Sequence, residues 1–172
     1  AARGQSGALA ATKTDFGPWG GALTFSLSSP WYFDPDPATT ELFPNKDDFF
    51  SVAVHELAHV FGFGTAPSWQ TYVSGSTFTG PKSTAANGGL HVSLSGDLKH
   101  WTNGTSSKIY GTNTTQETAM DPSLTVGTRK YFTSLDYAGL QDVGWKMVPE
   151  PSEWLLCALG AGVFVLVRRR VV

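Results

Sequence analysis

The sequence predicts an α+β domain followed by a separate apolar C-terminal segment. Three observations lead there: two-residue periodicity near the N-terminus, two later stretches with helical periodicity and recognisable starts, and an abrupt change of composition after Lys146. A chain of 172 residues with 41% apolar composition is long enough for one domain with a real core and too short for two of ordinary size. The expected division is residues 1–147 as the domain and 148–172 as the appended segment.

A net charge of −2 with only 15% charged residues leaves no basic patch, so nucleic-acid binding is set aside. The opening AARGQSGALAATKTDFG has neither a basic region leading into an apolar run nor a cleavage site, so the natural start is expected upstream. The single cysteine, Cys157, lies in the apolar tail and reads as one more small apolar residue. Disulfides therefore do not staple the globular part.

Leu23, Phe25 and Leu27 alternate with Thr24, Ser26 and Ser28, the period of a strand with one buried face, so Ala22 to Ser28 is expected to be a strand. The proline-rich SPWYFDPDPATTELFP should be a connecting loop. Its Asp34 and Asp36 fit solvated turn carboxylates better than a calcium site, which needs more oxygen ligands. Asn45 offers an N-cap, and Asp47 and Asp48 suit the positive end of a helix dipole, which predicts a helix over Lys46 to Phe61. On it Phe49, Phe50, Ala53, Leu57, Val60 and Phe61 form a core face, with His55 and His59 together on the other. Gly62 and Gly64 suit the helix end.

From Ser74 to Thr115 the chain is rich in Gly, Ser, Thr and Asn, which predicts irregular surface structure with a short strand near Leu90 to Leu94. The Asn-x-Thr sequons at Asn103 and Asn113 are too common by chance to carry weight. Thr133 with Asp136 three residues on marks a second helix start, and Leu135, Ala138, Leu140 and Val143 supply its apolar side before Gly144.

The chemistry lies in HELAHVFGFGT, His55 to Thr65. Histidines at i and i+4 stand one turn apart on a helix and can grip one metal ion, with Glu56 between them free to handle a proton. The bland reading is a polar stripe on an amphipathic helix. Gly62 extends the pattern to H-E-x-x-H-x-x-G, which resembles the metzincin clan of zinc endopeptidases. The clan's compact form places its third histidine three residues after that glycine. Here Thr65 stands there, and a threonine hydroxyl is a poor zinc ligand. A third ligand must then come from downstream, where the histidines are His91 and His100. His91, in GGLHVSL, reads as a surface or packed residue. A gluzincin arrangement would use Glu117 instead.

His100-Trp101 followed by ETAMDPSL resembles the leishmanolysin-like branch of metzincins, in which an insertion displaces the third histidine. FGFGT and SLDYAGLQDVGW are also similar to bacterial matrixin-like or leishmanolysin-like sequences. The resemblance spans roughly Ala22 to Trp145. It implies a zincin/metzincin-like fold, with Zn2+ held by His55, His59 and His100, Glu56 as general base and Met120 in a tight Met-turn beneath the metal. It further implies that protein or peptide substrates lie extended along Ala22 to Ser28. Peptide bonds would then be hydrolysed by a zinc-activated water that gives its proton to Glu56.

After Lys146 the sequence reads VPEPSEWLLCALGAGVFVLVRRRVV from Val148. The apolar run Trp154–Val167 is shorter than the roughly 20 residues of a typical membrane-spanning helix, but three arginines follow it and can fix or extend a short span. Pro149-Glu150-Pro151, the apolar run and Arg168-Arg169-Arg170 resemble the PEP-CTERM sorting signal of Gram-negative bacteria. That resemblance implies an exosortase as processing partner, transient anchoring in the inner membrane, and a final place at the cell surface or in the extracellular matrix. The leading expectation is an exported zinc endopeptidase. The competing one is a noncatalytic surface or biofilm-matrix protein on a degenerate zincin scaffold.

Overall fold

The computed structural model describes residues 21–36, 39 and 41–146. Expectations that fall on residues 1–20 and 147–172, the sorting segment and Cys157 among them, lie outside the described residues. Strand β1 (Trp31–Tyr32) pairs in parallel with β2 (Asp47–Asp48), and helix α1 (Phe49–Val60) follows directly.

Asp48 starts α1. Its carboxylate accepts the N–H of Ser51 at 3.2 Å, satisfying one of the donors that a helix leaves free in its first turn. The expected start at Lys46 is thereby corrected, because Asn45 takes a left-handed conformation (φ 62°) instead of capping. Asp48 has a second task. Arg129 donates to both its oxygens, at 3.0 and 2.8 Å, and to Asp34 at 2.6 Å. All three side chains are buried, so Asp34 is not the solvated turn carboxylate expected, although Asp36 is exposed. The charge-assisted fork ties the proline-rich loop to the start of α1.

Past α1 come α2 (Pro67–Gln70) and an antiparallel sheet ordered β3-β4-β5, from β3 (Val73–Ser74), β4 (Thr77–Phe78) and β5 (Val92–Ser93). Helix α3 (Pro81–Ala86) lies between β4 and β5. Its first N–H groups, on Lys82 and Ser83, each donate to Asp142 at 2.8 Å. Strands β6 (Ser106–Lys108) and β7 (Thr115–Glu117) form a second antiparallel pair, and α4 (Ser134–Asp142) closes the domain. Its start is the expected one: Thr133 and Asp136 form a reciprocal capping box, and Leu135, Ala138, Leu140 and Val143 are all buried.

The segment from Ser74 to Thr115 is more ordered than expected. The strand near Leu90 to Leu94 is present as β5, but the same segment also supplies α3 and, in Phe78, Val92, Leu94 and Trp101, a large part of the core. Phe78 and Trp101 stand singly in polar sequence, so no local period betrays them. Trp69 stacks on Phe78 at 4.0 Å, and Phe63 meets Trp101 edge to face at 5.0 Å, geometries that add to simple area burial.

Two further expectations are corrected. Ala22 to Ser28 forms no strand. Leu23 and Phe25 are half-buried between exposed neighbours, but Leu27, expected on the same face, is fully exposed, and the backbone of Ala22 to Phe25 makes no hydrogen bond to the described residues. A strand needs a ladder partner, and burial alternation alone does not supply one. The expected core face of α1 is only partly buried, with Phe61 packing against the core. Only Ser51 and Ala58 of this helix are buried, and Leu57 is 42% exposed. Phe50, Leu57 and Phe61 instead line an apolar groove of about 410 Å³ with Tyr110, Tyr137 and Leu140. Among the described residues no helix is long and apolar enough to cross a membrane.

Candidate metal centre

Helix α1 carries His55 and His59 one turn apart, with ring centroids 4.9 Å apart. The chain leaves the helix through Gly62 (φ 102°) and Gly64 (φ 69°). Thr65, where a compact metzincin site would have its histidine, donates its hydroxyl to the His59 carbonyl at 2.7 Å. It closes the helix end.

His100 arrives from a turn that begins at Ser95. Its Nε2 lies 3.1 Å from that of His55 and 2.9 Å from that of His59, and the two helix histidines are 3.2 Å apart by the same atoms. Among the described residues this is the one group of three such side chains able to share an ion. His91 is exposed and outside the cluster. Glu117 is engaged elsewhere, paired with Lys130 at 2.7 Å.

The far side of each ring fixes its tautomer. Nδ1 of His55 meets the Ala119 carbonyl at 2.8 Å, Nδ1 of His59 the Phe63 carbonyl at 2.8 Å, and Nδ1 of His100 the Asp97 carboxylate at 2.7 Å. Oxygens of these kinds accept and do not donate, so each Nδ1 carries the proton. Each neutral ring then presents its Nε2 lone pair to the others. Burial pushes His55 and His59 below the ordinary imidazole value, favouring those neutral rings. Three acceptors facing one point are an arrangement that a cation satisfies. Four-coordinate zinc with Zn–N bonds of about 2.0–2.1 Å would separate its nitrogens by about 3.3 Å, close to the spacings here. The donor set fits such a metal.

Two of these supports and His100 itself border the core. Ala119 precedes Met120, Phe63 is itself buried, and His100 precedes Trp101; all three core residues have no exposed surface. Asp136 ties Ala119 to the residue after His100. Its carboxylate accepts from Trp101 Nε1 at 3.1 Å and from the backbone N–H groups of Ala119 at 2.9 Å and Met120 at 3.2 Å, besides capping α4. Full burial raises its carboxyl above the usual range, against the pull of these donors. Met120 lies in the core cluster, and its carbonyl accepts the Trp101 N–H at 3.1 Å.

No protein family, characterised protein or solved structure matches the chain.

Glu56 stands between two openings. On one side a cavity of about 180 Å³ lies between α1 and the segment after Met120, lined also by His55, Pro122 and Leu124. On the other, a groove of about 330 Å³ runs along Ala22 to Ser26. The sequence reading missed Asp97, Gly64 and Asp136 as parts of the site. D-L-K-H carries a signal for the first, since an acid three residues before a histidine in a tight turn can reach its ring. Asp136 was legible only as a helix cap.

Proposed function

We propose that this chain is a zinc-dependent endopeptidase of the metzincin type. The observation that carries the reading is the convergence of three imidazole Nε2 atoms within 3.2 Å of one another, each ring locked from behind. Zinc, when bound, supplies a Lewis acid that polarises a carbonyl and acidifies water to a pKa of about 7. Glu56, next along α1 from His55, accepts the proton of the attacking water and returns it to the departing amine.

The openings beside Glu56 favour a polypeptide substrate. The backbone of Ala22 to Phe25, unpaired among the described residues, offers an extended peptide main-chain hydrogen bonds with little sequence preference. The cavity next to His55 has room for a substrate side chain. Export and sorting rest on the order of parts in the sequence, Pro149-Glu150-Pro151, the apolar run and Arg168-Arg169-Arg170, with an exosortase as the processing enzyme.

The test is zinc content measured beside casein hydrolysis. One zinc per chain, and hydrolysis that a chelator abolishes and zinc restores, are expected. Zinc held without any hydrolysis would leave a noncatalytic scaffold; no zinc at all would remove the reading.

A further inference from the structure

We propose that Asp97 is the positioning residue of His100, orienting the third imidazole toward the other two. The proposal rests on the zinc reading above. It adds that one side chain outside the ligand set orients the third ligand.

The three histidines are not supported alike. His55 and His59 are held by backbone carbonyls on Ala119 and Phe63, which side-chain chemistry cannot remove. His100 alone depends on a side chain, because Asp97 Oδ2 accepts its Nδ1–H at 2.7 Å. The other oxygen, Oδ1, accepts the Lys99 N–H at 2.9 Å and the Ser95 hydroxyl. One carboxylate thus closes the turn with Oδ1 and aims the ring with Oδ2.

The turn itself is fixed in place. Ser95 N–H donates to the His100 carbonyl and Leu98 N–H to the Ser95 carbonyl, both at 2.9 Å. Leu98 adopts a left-handed conformation (φ 58°), which a branched side chain rarely takes unless its surroundings impose it. The buried Trp69 braces it, donating its Nε1–H to the Leu98 carbonyl at 3.0 Å. Asp97 is therefore anchored on a rigid turn while its own side chain remains 47% exposed. A carboxylate on Nδ1–H also makes Nε2 a stronger donor to a metal, and losing such a partner typically lowers metal affinity about 10–100-fold.

The experiment compares the full chain with Asp97→Asn, titrating zinc against a competing chelator and recording the thermal midpoint of each metal-free protein. Expected are zinc binding weakened about 10–100-fold, a metal-free midpoint close to that of the unaltered chain, and a changed visible spectrum of the Co2+-loaded protein. Unchanged zinc affinity in Asp97→Asn overturns the proposal. An unaltered chain that takes up no zinc removes the zinc reading itself, which is a separate result. If Asp97→Asn also lowers the metal-free midpoint, Ser95→Ala separates the roles, since it removes a brace on Oδ1 and leaves the bond to His100. Near-normal affinity in Ser95→Ala supports positioning through Oδ2. A loss as large as that of Asp97→Asn overturns it.

Discussion

Gly64 and Lys99 meet backbone to backbone: a Cβ added at Gly64 would fall 2.3 Å from the Lys99 carbonyl oxygen and 2.9 Å from its Cα. The turn that leaves α1 and the turn that bears His100 are pressed together, and the absence of a side chain is what lets the third imidazole reach the other two. Gly75, also left-handed at φ 58°, has open space around it. Gly75→Ala should cost roughly 1–2 kcal/mol from backbone strain alone, and Gly64→Ala roughly 2–5 kcal/mol because a steric clash is added. Only Gly64→Ala should impair zinc uptake. Urea unfolding and metal analysis of both variants check this; equal effects would remove the special role of the Gly64–Lys99 contact.

Glu56→Gln should keep zinc and lose hydrolysis, by about 10²–10⁴-fold if its role is proton transfer. Casein turnover at matched zinc content is the measurement. Full activity in the variant takes Glu56 out of the mechanism.

His100→Ala should bind zinc far more weakly, whereas His91→Ala should bind it as the unaltered chain does. His91 is exposed and no part of the cluster. Zinc stoichiometry after dialysis against a weak chelator separates the two, and the reverse pattern would contradict the assignment of His100.

Burial holds His55 and His59 below the ordinary imidazole value of 6.5. The unfolded chain therefore takes up protons at these positions at a higher pH than the folded one. Their contribution to the stability of the metal-free protein is fully present above about pH 6.5 and lost as pH falls through the lower folded values. Zinc uptake should decline over the same range, because protons compete for the same nitrogens. Urea midpoints from about pH 7.5 down to about pH 5 should show the slope, and the double variant His55→Gln, His59→Gln should reduce it. An identical slope in the variant would assign the dependence to other groups.

Asp136→Ala removes one carboxylate and strands several donors: the indole N–H of Trp101, two backbone N–H groups and the cap of α4. Each unsatisfied buried donor costs about 1–3 kcal/mol, so a loss of at least about 3 kcal/mol is expected. Chemical denaturation measures it. A loss below about 1 kcal/mol would mean that water or relaxation satisfies these groups and that Asp136 does not tie Ala119 to Trp101.

The sequence by itself determined what depends on neighbours within a few residues. His55, Glu56 and His59 are legible because a helix places i and i+4 on one face, and the α4 start because a capping box joins residues three apart. The exclusion of the Thr65 position followed from the chemistry of a hydroxyl. Tertiary structure decided the rest, because the partners are remote in the chain. It moved the start of α1 to Asp48, whose carboxylate also accepts from Arg129, 81 residues away. It left Ala22 to Ser28 without a ladder, and it made Phe50, Leu57 and Phe61 of the expected core face of α1 the wall of a groove. It also brought His100, rather than His91 or Glu117, to the helix. Three nitrogens can meet across 45 residues only when the turns carrying them are packed and bonded in place, and Gly64, Asp97 and Asp136 supply those contacts between chain segments with no shared local pattern.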